Sequence, residues 1–342
     1  MQGCRGVILD TTGSMYRRTL TARVLVALVL VALCGFLTTR AHYALKNTEI
    51  AEEITSRRLV FGCGYPLQLL SAKVFPDYEF VTADHDTLGT PQDILLIGMH
   101  GGCTIAKQFT GRVVYVNGEA EVEEMVNGSF YLGPLSVQRR RALQFYYVSY
   151  AALAIQNVQE SLLRRNQSEG DKFLLYISSR CFPHRERAFD NLSQLGEVAA
   201  GGRCRGNTAT NVYQESVAGS WCSESVQAIY RKYKFGLVME NSNVTGYVSE
   251  KLLQAFHGGV IPIYYGPEDV FKIFNKDALI FYTEIHQDEV IAQVARLLHD
   301  PDAYNRKASL PFLVEGALES YFWKGRVQIN KIRQHIGDAP LK

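Results

Sequence analysis

Short apolar runs alternate with helix-like segments along most of the chain, and this alternation constrains the fold more than any other feature of the sequence. Strand-like runs in the first half are RLVFGCGY, YEFVTAD, DILLIGMHGG and RVVYVNGE, the last ending at Glu119. Those in the second half are KFLLYISSR, YKFGLVMEN, GVIPIYYG and DALIFY, accompanied by the helical patterns RERAFDNLSQL, EKLLQAFHGG and DEVIAQVARLLHD. Alternating strands and helices form parallel sheets that are covered by helices. The sequence therefore predicts an α/β protein.

The chain is long enough for two domains, because its 342 residues can bury two separate cores. Residues 138–166, QRRRALQFYYVSYAALAIQNVQESLLRRN, are predicted to form a long helical segment with at most one break. We place the domain boundary just after it, which gives domains at 59–168 and 169–342. Ligands of parallel sheets bind beyond the carboxyl ends of the strands, so polar residues at strand ends are the first candidates for a site.

Residues 24–39 carry no charge and are rich in Leu, Val and Ala, between Arg23 and Arg40. We interpret this run as a transmembrane signal anchor, short for a bilayer but extended by snorkelling of the two flanking arginines. Arginines are more frequent before the run than after it, which predicts a cytosolic tail at 1–23 and a stem at 40–58. A cleavable signal peptide is the alternative. Either interpretation places the rest of the chain in a secretory lumen.

The overall charge excludes two classes of protein. The chain is 47% apolar and 20% charged, and its formal net charge is +2. This balance differs from that of a disordered scaffold or a polyanion-binding protein, so we expect no nucleic-acid partner. Four Asn-X-Ser/Thr sequons agree with a secretory compartment: Asn127, Asn166, Asn191 and Asn243.

The cysteines predict a disulfide and no metal site. Cys181, Cys204 and Cys222 fall in the same third of the chain, so one disulfide among them is expected, with its connectivity open. Neither a CxxC motif nor a Cys/His pattern with zinc-ligand spacing occurs.

The stretch MENSNVTGYVSEKLLQAFHGG, residues 239–259, connects a strand pattern to a helix pattern through a polar loop. The strand is predicted to end near Met239 and the helix to begin near Tyr247, with Gly246 as its N-cap. Polar side chains then occupy the first turns of the helix. A helix N-terminus together with Lys251 suits a diphosphate, and Glu250 is placed to bind a hydroxyl or a sugar ring. An ordinary amphipathic helix with a solvated polar face is the alternative.

Residues 240–266, ENSNVTGYVSEKLLQAFHGGVIPIYYG, resemble the donor-binding signature of the α-1,3/1,4-fucosyltransferases, glycosyltransferase family 10. Gly246 resembles the bacterial-type branch of that family. FLLYISSRCFPHRERAFDNLSQLGEVAAGGRCRGN is similar to the family's upstream block, and RVVYVNGEAEVEEMVNGSFYLG is similar to a strand that ends in Tyr-Thr-Gly-Glu-Asn in bacterial members. The resemblance extends from about Leu59 to Trp323. It implies a GT-B fold, with two Rossmann-like domains that face a cleft, preceded by the single transmembrane helix.

The resemblance also assigns roles to individual residues. It implies that Glu119 is the catalytic carboxylate, although Glu121, Glu123 and Glu124 crowd the same region and a neighbouring glutamate stays open as the base. The pyrophosphate-binding arginine falls on Arg185, or on Arg187 if the alignment slips. The implied donor-binding residues are Arg185, Glu240, Asn241, Tyr247, Glu250 and Lys251, with Tyr247 and Lys251 at the diphosphate and Glu250 at the sugar.

The activity that the resemblance implies is transfer of L-fucose, with inversion, from GDP-β-L-fucose to the 3- or 4-hydroxyl of GlcNAc in a glycan acceptor. It implies no metal and no cofactor besides the donor substrate. It also implies a Golgi type II membrane protein with a lumenal catalytic domain, and a membrane stem permits a homodimer. Two alternatives are another inverting GT-B transferase with a different nucleotide sugar, and an inactive relative that binds glycans.

Two further motifs are weaker candidates. Asp84, His85 and Asp86 form a DxD-like group that resembles the Mn²⁺-binding motif of the other large glycosyltransferase fold, although two acidic residues in a loop are more often solvated turn residues. His100 lies at a strand end, where a turn histidine without function is the plainer interpretation. We also expect Asn243 to carry no glycan, because a glycan there would block the donor loop.

Overall fold

A computed structural model of the chain describes residues 40, 42, 46, 58–64, 67–99, 103–120, 125–134, 141–154, 170–205 and 224–341. Contacts divide the chain into two compact units, Met1–Arg58 and Leu59–Lys342. The predicted membrane segment 24–39, His100, Cys222 and Glu121, Glu123 and Glu124 lie outside the described residues. Within them, no helix is both long and apolar enough to cross a membrane.

The first sheet contains six parallel strands in the order β2-β1-β3-β4-β5-β6. Their bounds are β1 Leu59–Cys63, β2 Glu79–Thr82, β3 Ile94–Ile97, β4 Arg112–Val116, β5 Phe130–Gly133 and β6 Ala142–Gln144. The central β3 is buried on both faces, as a strand covered by other layers requires.

The predicted long helix at 138–166 is wrong over its first part. Ala142–Gln144 forms edge strand β6, paired with Tyr131–Gly133 of β5, and helix α2 covers only Tyr147–Ala151 before a 3₁₀ turn at Ala152–Ala154. A sheet edge that offers unpaired main-chain groups overrides the helical propensity of this segment. Residues 155–169 lie outside the described part of the chain.

The second sheet contains five parallel strands in the order β11-β10-β9-β7-β8. Their bounds are β7 Lys172–Ser178, β8 Val198–Gly202, β9 Tyr233–Met239, β10 Ile261–Tyr265 and β11 Ile280–Phe281. Strand β8, with the sequence VAAGG, was not anticipated, because it lacks the large apolar residues that mark a strand. Strand order reverses between β7 and β9, and in open α/β sheets a ligand crevice lies at such a reversal.

The remaining helices cover the two sheets. Their bounds are α1 Gln68–Val74, α3 Pro183–Leu192, α4 Glu224–Tyr230, α5 Glu250–His257, α6 Gln287–His299, α7 Pro301–Ala308, α8 Ala317–Ser320 and α9 Val327–His335. Helices α4 and α5 pack with one face of the second sheet, and α3, α6 and α7 pack with the other.

The last helix returns to the first sheet. Ile329 and Ile332 of α9, together with Trp323, share a buried cluster with Val60, Ile94 and other residues of the first sheet. The core of the first sheet therefore contains residues from beyond the proposed boundary at 168/169, and the domain limits 59–168 and 169–342 stay a prediction.

Candidate active site

A pocket of about 280 Å³ lies at the carboxyl ends of β7 and β9, where the strand order reverses. It is lined by Ser178 and Met239 from these two strand ends and by residues of α3, α5 and the loop after β4. Five of the seven predicted site residues line it: Glu119, Arg185, Asn241, Glu250 and Lys251. The other two, Glu240 and Tyr247, are hydrogen-bonded to residues around the pocket and lie behind its wall.

Arg185 is a buried cation at the base of this pocket, with 3% of its surface exposed. Its Nη1 donates to Ser178 Oγ at 3.0 Å and to the main-chain oxygen of Arg180 at 3.2 Å. Its Nη2 donates to the oxygen of Met239 at 2.5 Å and to Asn241 Oδ1 at 2.7 Å. Burial lowers the pKa of the guanidinium, which nevertheless stays charged. All four acceptors are neutral, so the site retains a positive charge that favours an anion.

The Nε of Arg185 is buried and has no hydrogen-bond partner among the described residues. By contrast, Arg187 is exposed and pairs with Glu284 outside the pocket. Of the two arginines that the sequence left open, the structure brings Arg185 to the pocket and turns Arg187 away from it.

Glu240 follows β9 and organises the start of α5. Its carboxylate is fully buried and accepts from the Ser249 N–H at 2.7 Å and from Ser249 Oγ at 2.8 Å. The Lys251 Nζ lies 3.6 Å from Glu240 Oε2 and donates to Ser249 Oγ at 3.0 Å. The strand end thus fixes the first helical turn, since it binds both the backbone and the side chain of Ser249.

The predicted start of α5 is wrong by one turn. The helix begins at Glu250 with Ser249 in the N-cap position, so Tyr247 precedes the helix and Gly246 is not its cap. Gly246 has a φ of +86°, in the left-handed region that favours glycine, and it turns the chain ahead of the helix. The predicted stop at Gly258-Gly259 agrees with the last helical residue, His257.

Charges at the pocket are strongly coupled. Burial raises the pKa of Glu250, while the neighbouring Lys251, 3.7 Å away, works in the opposite direction. Burial alone would lower the pKa of Lys251, but the carboxylates of Glu250 and Glu240 outweigh it and raise that pKa. Lys251 is therefore an ammonium throughout the neutral pH range, held at the pocket by two carboxylates.

Glu119 reaches the pocket from the first sheet. Strand β4 ends at Val116 and not at Glu119 as predicted, because Asn117 Oδ1 accepts from the Glu119 N–H at 2.9 Å and turns the chain. Glu119 Oε2 accepts from the Tyr247 hydroxyl at 3.1 Å. This contact joins the loop after β4 to the donor loop of the second sheet.

The sequence missed several features of this site. Ser178 and Arg180 line the pocket, and their position at the end of β7 was the only signal that could have identified them. The disulfide expected among Cys181, Cys204 and Cys222 joins Cys181 to Cys204, next to Arg180. A second disulfide, Cys63–Cys103, ties the end of β1 to a segment of the first sheet and was not anticipated.

The candidate metal groups do not form a centre in the described part of the chain. Asp84, His85 and Asp86 are exposed, and Asp84 Oδ1 accepts from Thr87 Oγ1 at 2.7 Å in a local turn away from the pocket lining. Among the described residues, one group has metal-ligand spacing, Cys181, Glu186 and Cys204. Its two cysteines are bonded to each other and offer no thiolate.

Comparison with known proteins gives three findings. Residues 167–308 match the family model described as glycosyltransferase family 10 (fucosyltransferase) C-term. An alpha-(1,4)-fucosyltransferase of Arabidopsis thaliana is 34% identical over 146 residues, which are 40% of this chain and 36% of that protein. The human GDP-fucose protein O-fucosyltransferase 3 is 29% identical over 135 residues, 38% of this chain and 28% of that protein. The chain thus spans only about a third of these relatives.

A crystal structure of an alpha1,3-fucosyltransferase with GDP-fucose superposes with a TM-score of 0.57 and 17% identity, over 83% of this chain and 91% of that one. At that identity the likeness shows the fold. The described residues therefore form a parallel-sheet α/β glycosyltransferase fold.

Proposed function

We propose, from the premise that residues 167–308 form a glycosyltransferase family 10 domain, that this chain is a fucosyltransferase that uses GDP-β-L-fucose as its donor. The observation that carries the proposal is the buried Arg185 at the strand-order reversal of the second sheet. Its four hydrogen-bond acceptors are neutral, and its Nε has no partner among the described residues. Lys251 at the start of α5 adds a second cation. Two cations at such a crevice suit a nucleoside diphosphate.

The proposed chemistry divides between the two sheets. Glu119 takes the proton from the acceptor hydroxyl as its oxygen attacks the anomeric carbon, while the bond from that carbon to the diphosphate breaks on the opposite face. Arg185 and Lys251 stabilise the negative charge that develops on the departing diphosphate. Glu250 lies on the sugar side, and Glu240 and Asn241 shape the donor loop. A single displacement of this kind inverts the anomeric configuration.

The acceptor proposed is a GlcNAc hydroxyl of a glycan, the 3- or the 4-hydroxyl. One comparison favours a second candidate, because a human relative is named as a protein O-fucosyltransferase. A hydroxyl of a folded protein or peptide is therefore a separate acceptor to test. The same assay distinguishes a transferase that uses a different nucleotide sugar from an inactive relative that binds glycans.

The proposal also includes the setting of the enzyme. It comprises a GT-B arrangement of two Rossmann-like domains, catalysis without a metal, and a Golgi type II membrane protein with the catalytic part in the lumen and a homodimer permitted by the stem. The two disulfides support an oxidising compartment, because such bonds are rare where thiols are kept reduced.

The experiment that tests the proposal incubates the purified, detergent-solubilised chain with GDP-fucose and other nucleotide sugars, and with GlcNAc-containing glycans and folded protein acceptors. We expect transfer from GDP-fucose only. Glu119→Gln should lower transfer roughly a hundredfold or more while GDP binding persists, and Lys251→Ala should weaken GDP binding. Glu268→Gln, at an exposed glutamate outside the pocket, is the matched control.

Each contrary result has a distinct meaning. Transfer from a different sugar nucleotide would replace the donor, and transfer to protein hydroxyls alone would replace the acceptor. Transfer that survives both substitutions would refute the site assignment. Failure with every donor, although the chain is folded, would leave the inactive relative as the better description.

A further inference from the structure

Tyr247 lies where its hydroxyl contacts the proposed base and not the centre of the donor pocket. The resemblance assigned this tyrosine to a phosphate, but its hydroxyl donates to Glu119 Oε2 at 3.1 Å, and Tyr247 does not line the pocket. Its side chain is buried, with 2% exposed. The contact spans 128 positions of the sequence.

The backbone around Tyr247 is fixed from the side of the first sheet. The Gly246 N–H donates to Asp269 Oδ1 at 3.2 Å, and Asp269 Oδ2 accepts from the Tyr146 hydroxyl at 2.9 Å. On the other side of Tyr247, the oxygen of Val248 accepts from the Val148 N–H at 2.9 Å. Both neighbours of Tyr247 are therefore tied to residues at or beside α2, which leaves its ring little freedom.

The chemistry of the pair follows from the protonation of the phenol. Burial raises the pKa of Tyr247 well above its usual value, so the hydroxyl keeps its proton and acts as a donor. A neutral donor on one carboxylate oxygen favours the ionised carboxylate and limits its rotation. The second oxygen of Glu119 then remains to accept the proton of the acceptor hydroxyl.

We propose that Tyr247 is a positioning residue for Glu119, which it holds through this hydrogen bond from the donor loop. The proposal rests on the proposed function, because it takes Glu119 as the base. It assigns the tyrosine to the proton-transfer half of the reaction, whereas a phosphate ligand would belong to donor binding. It also links the donor loop physically to the base, so both halves of the reaction share one rigid connection.

The test is Tyr247→Phe, compared with Tyr304→Phe, which removes a tyrosine hydroxyl that donates to the Lys234 oxygen, away from the pocket. Steady-state kinetics should show that Tyr247→Phe lowers kcat about tenfold or more, the usual effect of a lost hydrogen bond to a charged group. The dissociation constant of GDP, measured by calorimetry, should stay within about twofold of the wild-type value. Tyr304→Phe should change neither quantity.

A double-mutant cycle for thermal unfolding provides a readout that needs no activity. Tyr247→Phe and Glu119→Gln together should shift Tm by less than the sum of the two single shifts, because both remove the same contact. GDP binding weakened by Tyr247→Phe, with kcat retained, would restore the phosphate role and overturn the proposal, and so would additive Tm shifts. A wild-type chain that transfers nothing would contradict the proposed function, while the cycle would still decide whether Tyr247 holds Glu119.

Discussion

The guanidinium of Arg185 in α3 donates to the main-chain oxygen of Met239, the last residue of β9. One side chain thereby crosses the gap between two strand ends and places a buried positive charge where the strand order reverses. A lysine could not replace it, because a single ammonium cannot reach four acceptors that are spread over this distance.

Arg185→Lys should lower the affinity for GDP at least tenfold, since the forked contact with Asn241 and Met239 is lost with the anion-facing Nε. Isothermal titration calorimetry measures the change. Arg187→Lys is the control, because Arg187 is exposed and pairs with Glu284 outside the pocket. An equal loss in the control variant would move the anion site to Arg187.

Gly202→Ala should reduce both stability and GDP affinity. Gly202 has a φ of +90°, and a Cβ there would overlap the main-chain oxygen of Ser178, whose hydroxyl accepts from Arg185. Gly316 offers a matched comparison, because its φ is +77° but nothing lies within 4 Å of an added Cβ. Gly316→Ala should cost only the backbone strain of about 1–2 kcal/mol and leave GDP binding intact. Equal unfolding free energies and GDP affinities for the two variants would contradict this account.

The two disulfides should differ in their effect on GDP binding. Removal of Cys181–Cys204 by paired serine substitutions should weaken GDP binding, because the bond holds the chain beside Arg180, whose oxygen accepts from Arg185. Removal of Cys63–Cys103 should leave GDP binding unchanged, since neither cysteine lines the pocket. Each loss should destabilise the fold by about 2–4 kcal/mol. Calorimetry and thermal unfolding separate the two effects, and identical GDP affinities for both variants would argue against this role of Cys181–Cys204.

His257 should make the fold sensitive to acid. Burial, with a smaller effect from Arg231, lowers its pKa to about 4. Between the usual histidine value of about 6.5 and this value, the unfolded chain binds a proton that the folded chain does not. Stability is therefore fully present above about pH 6.5 and falls as the pH drops towards 4, by up to about 3 kcal/mol.

The measurement is the free energy of unfolding of wild type and His257→Gln between pH 7 and pH 4.5. The variant should lose less stability over this interval than the wild type. His286→Gln, at an exposed histidine, should follow the wild type. Parallel wild-type and His257→Gln curves would show that burial of this imidazole has no such effect.

Asp84 and Asp86 should be dispensable for transfer, because they form an exposed turn away from the pocket. The double substitution to asparagine should keep kcat and KM within about twofold of wild type, and EDTA should leave the rate unchanged if the reaction needs no metal. Activity lost to EDTA and regained only with Mn²⁺ would overturn the metal-free proposal.

Much of the fold was accessible from the sequence because its signals are local. Eight strand-like runs were identified, and each overlaps a strand of the structure, since apolar runs of this length are buried on both faces of a parallel sheet. Strands β6 and β8 escaped detection, because Ala142–Gln144 and Val198–Gly202 become strands only through pairing with β5 and β7. Their own residues favour a helix and a turn.

For the site, the sequence by itself determined which segments meet, because strand ends of a parallel sheet share one edge and the segment at 240–266 lies at such an end. The tertiary structure alone decided the contacts. It chose Arg185 over Arg187, started α5 at Glu250 because the buried Glu240 binds Ser249, and joined Tyr247 to Glu119. Such contacts depend on distances between residues that are remote in the chain, and no local propensity encodes those distances.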